Sequence, residues 1–513
     1  MVGVESGFQV PECVRAYLGE LGYLLPLDPM DGWVRCWDDW MAARGEFYDY
    51  ADVDGLGRRY EVHRRSLHPA MRVCQEWGSL LLNDKTQVVC DDQACTDWLA
   101  DFFARTGFMA AAQSCVVRAF GLGTGALGLW CDLGAQEVRV RCYDARMVVP
   151  LSWDEDGVYE CAFVTRAFVK GKAVDQLQMH LRDAAGFYRI ETVCFDENGV
   201  ETACEGVLPC FTTALTFPTF AILKPAITNT RVDMSPFGQS VFADALDAVQ
   251  AVDVTFDALV NEVDAGKMRI FLSDVMFDFE NKNGGRARIP FGKHDCTVFR
   301  KVMSTSDTIA EFAPALRTDA QERALRVALQ MLGDLTGFGI SYFDFDNSGY
   351  VKTATEVSSD NSALMRNIRR HENLMATSLA SIAHAVLGLA RMMGTSLPEE
   401  GEIRVTFDDS IITDTTAEKS QDMAEVAAGL MQAWEYRCKW YGEDEATARR
   451  MAGSGGVCGA DGGSDGSTPG GKHAAAPGGS AGVGKAAAGR GGRAASGEAA
   501  GRDGDGGRPG RGA

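Results

Sequence analysis

Few residues in this 513-residue chain stand at spacings that could do chemistry. Gly121-Leu122-Gly123-Thr124-Gly125 has the glycines of a phosphate cradle. Such a loop follows a strand and opens a helix, so that free backbone N–H groups meet the phosphate. Here the predicted helix comes first and the strand after, and no Lys-Ser/Thr pair follows. The string reads as a tight helix-to-strand turn. Asp344-Phe345-Asp346-Asn347-Ser348-Gly349 begins like a calcium loop. Its twelfth position, which should carry a bidentate glutamate, is Thr355, and Glu356 comes one residue late. The seven histidines are isolated, and none stands at a metal-ligand spacing. His384 lies on an apolar helix and reads as a core histidine; His371-Glu372 opens no triad. GxSxG strings around Ser464 and Ser480 sit in a glycine-rich tail, without the strand and helix that a nucleophile elbow needs. Carboxylates are plentiful, but no pair is singled out. No catalytic residue, cofactor or metal is assigned, and a soluble hydrolase with a carboxylate pair stays as the alternative.

The chain is 46% hydrophobic and 24% charged, a globular composition. Its length suggests about three domains. Fifty Lys and Arg against 71 Asp and Glu give a net charge of −21. That balance argues against a surface that grips nucleic acid by neutralising phosphates. No basic segment followed by an apolar run opens the chain, so no signal peptide is expected. The longest uncharged runs, Gly206–Leu223 and Asn373–Ala390, fall short of the ~20 apolar residues that span a bilayer. The fifteen cysteines are scattered with no CxxC pair, and Cys90 and Cys95 lack a second pair at zinc spacing. Reduced thiols in a cytosol are the expectation.

The elements follow from periodicity. Helices are predicted over Trp33–Arg44, where Trp33, Trp37 and Trp40 share a face, over Ser66–Leu82 and over Ala94–Phe120. Short alternating strands follow, Ala126–Cys131, Glu137–Tyr143, Met147–Ser152, Val158–Val169, Leu177–Leu181 and Phe187–Cys194, parted by turns such as Asp154–Gly157 and Asp196–Gly199. Helices before an antiparallel sheet make an α+β pattern. Ser235-Pro236 opens a long predicted helix, Gly238–Ala265, whose charges are all acidic: Asp244, Asp247, Asp253, Asp257, Glu262 and Asp264. It forgoes the mixed-sign pairs of ordinary surface helices. Strands at Met268–Leu272, Arg288–Phe291 and Cys296–Lys301 form a small β unit, and the helix Asp319–Leu335 returns from it. A Gly-, Asp- and aromatic-rich loop, 336–353, leads to a helix from about Ala354 to Met393. The strand Ile403–Phe407 and helices Ala417–Tyr436 and Asp444–Met451 close the ordered part. Residues 453–513 are Gly and Ala with scattered charges. They cannot bury enough surface to offset their ordering entropy and read as disordered. Their single Gly489-Arg490-Gly491-Gly492-Arg493 string is more simply composition than an RNA-binding box.

Several stretches together resemble the portal proteins of tailed bacteriophages, in the branch found in long-tailed phages of Gram-positive bacteria. They are Ser66–Asp84 (SLHPAMRVCQEWGSLLLND), Phe120–Trp130 (FGLGTGALGLW), Ser235–Leu272, Val351–Glu372 (VKTATEVSSDNSALMRNIRRHE) and Val405–Asp414 (VTFDDSIITD). No one of them is a catalytic signature; the resemblance lies in their order and spacing over most of residues 30–450. It implies an α+β portal fold and a ring, usually of twelve subunits, at one capsid vertex of the virion, put together in the host cytoplasm. The mixed α/β wing would take residues 1–237, the two stem helices 238–266 and 317–335, and the β-rich clip 267–316. A channel loop would be 336–353, a long helix and wing return 354–415, and a helical crown 416–452; the tail 453–513 lies outside the resemblance.

The resemblance also implies a non-enzymatic conduit for packaging and ejecting double-stranded DNA. Its partners would be further copies of itself, the terminase large subunit, the head-to-tail connector, and capsid and scaffold proteins, with no membrane. Twelve chains of −21 make −252 per ring. DNA carries one negative charge per ~1.7 Å, so an acidic wall repels it from the side and keeps it mobile. Asp244, Asp247, Asp253 and Asp257, with Asn347, Tyr350 and Lys352 of the loop, are the expected channel residues. Arg286, Arg288, Lys293, Arg300 and Lys301 are the expected docking residues of the clip.

Overall fold

Apolar residues three and four apart make the N-terminal helices, and the computed structural model gathers them on a shared core. It describes residues 8–23, 25, 28–53, 57–83, 85–132, 137–169, 171–203, 208–267, 269–273, 298–301, 309–312, 314–343, 354–407 and 415–453. Helix α1 (Glu12–Glu20) buries Val14 and Leu18. Helix α2 (Asp28–Met41) buries Met30, Val34, Trp37 and Met41, so of its three tryptophans only Trp37 is wholly enclosed. Strands β1 (Asp49–Val53) and β2 (Arg59–His63) form an antiparallel hairpin that the sequence reading did not contain. Helix α3 (Pro69–Leu81) starts on Pro69, whose missing N–H is harmless in a first turn. Strand β3 (Gln87–Cys90) precedes α4 (Gln93–Thr106), which Asp92 caps by accepting from Ala94 N (2.9 Å) and Cys95 N (3.1 Å). The single helix expected over Ala94–Phe120 is two: Gly107, at φ +63°, ends α4 and α5 (Phe108–Leu122) follows.

Nine strands come next: β4 (Gly125–Asp132), β5 (Glu137–Asp144), β6 (Val148–Asp154), β7 (Gly157–Val169), β8 (Lys172–Arg182), β9 (Tyr188–Phe195), β10 (Glu201–Thr202), β11 (Cys210–Thr212) and β12 (Phe220–Leu223). They are antiparallel, as expected, but make two sheets. One has the order β10-β9-β8-β7-β6 with β11 also on β9, and the other the order β12-β4-β5. The turn Asp196–Gly199 forms because Asp196 accepts from Asn198 N and Val200 N, each at 2.9 Å.

The long acidic helix begins later than Gly238. Residues 236–242 are buried in non-helical conformation, Ala243–Ala245 make one 3₁₀ turn, and α6 runs Leu246–Ala265. At 1.5 Å per residue it is roughly 30 Å long, not 40. The cause is the glycine string of α5–β4. Gly123, at φ +82°, crosses Gly238 so closely that a Cβ on Gly238 would lie 2.3 Å from the Gly123 carbonyl oxygen. Gly238 N donates to Thr124 Oγ1 (2.9 Å) and Val241 N to the Phe120 carbonyl (2.9 Å). These bonds tie the segment to the turn and postpone the helix.

After α6 come β13 (Arg269–Ser273), β14 (Val298–Lys301) and β15 (Ile309–Phe312), a three-stranded sheet with β13 central, parallel to β14 and antiparallel to β15. The expected strand Arg288–Phe291 lies outside the described residues. Helix α7 (Thr318–Leu335) packs along α6. The Arg317 side chain beside α7's first turn holds Glu262 near α6's last, and α7 also reaches the 3₁₀ turn that precedes α6, so the two helices run in opposite directions. Helix α8 (Ala354–Met392) is one unbroken rod of roughly 60 Å. Its segment Ala363–Met392 is long and apolar enough by composition to cross a membrane, contrary to the sequence estimate, yet 56% of its most apolar window is buried in the protein. Leu364, Ile368, Met375, Leu379, Ile382 and Val386 supply that core stripe. Strand β16 (Ile403–Thr406) pairs with β3, and α9 (Thr415–Ala427) ends at Gly429, φ +74°. The helix expected over Ala417–Tyr436 is therefore interrupted. Helices α10 (Ala433–Tyr441) and α11 (Glu445–Gly453) form a separate small unit, in which Arg437 grips Glu443 (2.7 Å) and Arg449 covers the Trp434 ring. The tail beyond 453 lies outside the described residues.

Candidate functional site

The acids of the α6 region do not form a bare negative face. Asp253 is fully buried and accepts from Tyr48 Oη (2.7 Å), Ser66 Oγ (2.8 Å) and Leu67 N (2.8 Å). Burial, then the Asp253 hydrogen bond, pushes the Tyr48 hydroxyl far above its ordinary range, so Tyr48 stays a donor. Asp253 thus joins α6 to the residue just before β1 and to the segment that leads into α3; as an expected channel residue it is corrected. Asp257 pairs with Arg65 at 3.0 Å, and the same guanidinium reaches Asn261 (2.7 Å) and Asp264 (3.3 Å). Asp264 also meets Lys267 at 2.9 Å. Glu262 is held below its ordinary carboxylate range by hydrogen bonds from the Arg317 side chain and backbone. Asp244 takes Arg231 and Gln239, each at 2.8 Å. Among the expected channel carboxylates Asp247 alone is exposed with no partner among the described residues. The helix carries no base of its own, and its cations come from the connections around it.

The loop expected to approach a channel is anchored at its start. Phe338 is 2% exposed and lies 4.5 Å from the Trp77 ring. Trp77 Nε1 donates to the Thr336 carbonyl (3.2 Å), Asn367 Nδ2 to the Gly337 carbonyl (2.9 Å) and Tyr342 Oη to Glu76 (2.8 Å). Residues 336–343 thereby belong to the body. Asn347, Tyr350, Lys352 and the calcium-like string lie outside the described residues, as do Arg286, Arg288 and Lys293. Arg300 and Lys301 stand on β14, of which only the backbone is described.

His384 is not the core histidine that its apolar helix suggested. His371 is the enclosed one, between Trp77 and Phe120 at 4.7 and 4.9 Å, with Nδ1 accepting from Ala226 N (3.0 Å). Burial, then the charge of Arg370, lowers it to about 4. His384 is 44% exposed, rests on Phe217 and pairs with Glu400, which Arg391 also holds. It lies at the surface beside Glu400, because α8 turns that side away from the core. A cavity of about 420 Å³ opens there, lined by Lys224, Thr377, Ser378 and Ser381 among others. Burial lowers the Lys224 amine from its ordinary value. Among the described residues no three His, Cys, Asp or Glu side chains gather as a metal site would need. Ten cysteines there are free thiols, but Cys194 on β9 is disulfide-bonded, which corrects the expectation that all are reduced.

No curated protein matches the sequence. Similar solved structures include a chain of the virion of a native gene transfer agent particle, at 12% identity and TM-score 0.36, covering 72% of this chain and 87% of that one. A chain from the neck of the native particle computed with C12 symmetry gives 12%, 0.36, 72% and 88%. One from the neck of the empty particle computed with C6 symmetry gives 12%, 0.34, 72% and 87%. The family described as "Phage portal protein, SPP1 Gp6-like" matches residues 73–436, well over half of the chain, from α3 through both packed helices to α9 and beyond, and the chain belongs to that family.

Proposed function

We propose that this chain closes into a ring at a capsid vertex of the virion, twelve copies by the family resemblance, and is the conduit through which double-stranded DNA is packaged and ejected. The stem is α6 and α7, the clip is the β13–β15 unit between them, the channel loop follows α7, and residues 1–237 make most of the wing, with its return through α8 and β16. The helices after residue 416 are the crown. The terminase motor and later the head-to-tail connector dock on the clip, where Arg286, Arg288, Lys293, Arg300 and Lys301 are the cations offered to them. Hydrolysis of ATP belongs to the motor, not to this chain.

One arrangement supports the reading above others. Inside the family-matched stretch two helices pack side by side in opposite directions, and a three-stranded sheet is inserted between them in the chain. A ring needs two different complementary faces on each subunit. The test is light scattering and negative-stain electron microscopy on purified protein. A closed ring with a central hole is expected; a monodisperse monomer at every concentration overturns the proposal.

A further inference from the structure

Strand β3 pairs only with β16 among the described residues. The bond from Asp91 N to the Glu402 carbonyl (3.2 Å) extends the register of that pair and fixes its alternation. Gln87 and Val89 turn their N–H and C=O toward β16, so Val88 and Cys90 turn theirs to the opposite edge. Cys90 finds Thr96 there, its N–H donating to Oγ1 (2.9 Å) and its carbonyl accepting from it (3.2 Å). Val88 is 7% exposed, and its backbone pair has no partner among the described residues. It opens on a cavity of about 540 Å³ whose lining includes Phe103, Met109 and Ala110 and no ionisable residue. Buried backbone pairs are rarely left without a partner.

The β1–β2 hairpin has the converse problem. It is a two-stranded sheet whose residues are exposed or half-exposed, with Val53 and Tyr60 59% and 48% exposed. Hairpins of two strands are marginal in water without a third strand or a cover. The bond from Arg64 N to the Tyr48 carbonyl (2.8 Å) makes Tyr50–Val62 and Asp52–Tyr60 the bonded pairs. The backbone groups of Arg59, Glu61 and His63 then face outward on β2, without partners among the described residues. On β1 the outward N–H groups of Asp49 and Val53 are already taken, by the Gly45 carbonyl (2.8 Å) and Asp52 Oδ1 (2.7 Å). The open edge is therefore β2, and Tyr50, Tyr60 and Val62 share one of its faces with Asp52, which accepts from Tyr60 Oη (3.2 Å).

We propose that β2 of one copy adds beside β3 of the next, seating Tyr60 or Val62 in the uncharged cavity and satisfying Val88. The proposal rests on the ring reading. The two edges are different surfaces of one chain, so their contact is head-to-tail, the kind that closes a ring. An uncharged slot also spares the contact the repulsion expected between chains of net charge −21. Strand addition supplies main-chain hydrogen bonds, and the cavity selects the side chain.

The experiment places a photo-crosslinking benzoylphenylalanine at Tyr60 of the full chain and maps the crosslinked peptides of assembled material. A crosslink from one copy to residues 86–110 of another is expected. In parallel, Val88→Pro removes the outward N–H and trims one buried side chain but leaves the bonds to β16, which Gln87 and Val89 serve. Its monomer keeps its circular dichroism, and the concentration for assembly rises by at least about tenfold. Should Val88→Pro disturb folding, Tyr60→Glu, on an exposed strand, brings a charge to the uncharged cavity and has the same effect on assembly. Assembly at the wild-type concentration in either folded variant overturns the proposal, as do crosslinks that reach only other segments or another virion protein. Rings lacking the crosslink sink this contact alone. A crosslinked pair that never closes into a ring sinks the ring reading alone, and a chain that stays monomeric sinks both.

Discussion

His371 and His180 turn the core into an acid-sensitive device. His180 is wholly buried against Phe163 and Phe220 with Thr219 at 2.6 Å, and burial lowers it to about 3. His371 stands at about 4 for the reasons already given. In the unfolded chain a histidine titrates near ~6.5. Below that pH the unfolded chain takes up protons that the folded one refuses. Stability is therefore complete above pH ~6.5 and falls as the pH drops toward the folded values, by roughly 1.4 kcal/mol per unit per histidine. At pH 5 the two together cost about 4 kcal/mol. Chemical denaturation at neutral pH and at pH 5 reads this directly. His371→Gln keeps an acceptor for Ala226 N but cannot be protonated, so the acid loss should shrink by about half. Equal losses in the variant and the parent would refute the assignment. Neither histidine was distinguishable in the sequence. His371 is flanked by charged Arg370 and Glu372, and only the approach of Trp77 and Phe120 from distant segments makes its site apolar.

At the scale of elements, the glycine string that resembled a phosphate loop is a crossing point of two backbones. A Cβ on Gly123 would lie 2.6 Å from the Gly238 carbonyl oxygen, and φ +82° is itself hostile to a side chain. Gly123→Ala and Gly238→Ala should each cost more than about 2 kcal/mol, whereas Gly32→Ala, with nothing within 4 Å on a helix, should gain up to about 1 kcal/mol. Thermal unfolding of the three variants checks the order; a silent Gly123→Ala would mean that the crossing is not tight. The turn was legible because helix and strand patterns flank it. Most helices and the β4–β9 strands were legible for the same reason, their faces being sorted into apolar and polar. The hairpin β1–β2 was not, since strands exposed on both faces carry no alternation to read. The start of α6 was misread because Pro236 gives a helix signal locally, while the bonds that hold residues 238–241 away from helix come from residues 120–124. The fate of Asp253 was equally hidden, its partners lying 186 to 205 residues away.

For the whole molecule, the pairing of the acids changes what an acidic conduit can mean. Four of the six carboxylates on and just before α6, Asp244, Asp257, Glu262 and Asp264, meet Arg231, Arg65, Arg317 and Lys267, and Asp253 is buried, so the helix shows far less bare negative charge than its sequence suggests. The net charge of −21 still stands. If α6 borders the channel, Asp247 is the carboxylate from which repulsion comes. Asp247→Lys in assembled rings should then bind a short duplex more tightly, and the salt dependence should steepen by about 0.9 for each phosphate that a new lysine neutralises. Asp253→Asn should leave duplex binding and its salt slope untouched. Its cost, roughly 1–3 kcal/mol, falls on folding, because Tyr48, Ser66 and Leu67 lose a charged acceptor. Fluorescence anisotropy across a salt series separates the two. A flat slope for Asp247→Lys would put α6 away from the duplex, and a changed slope for Asp253→Asn would mean that the buried carboxylate reaches DNA after all.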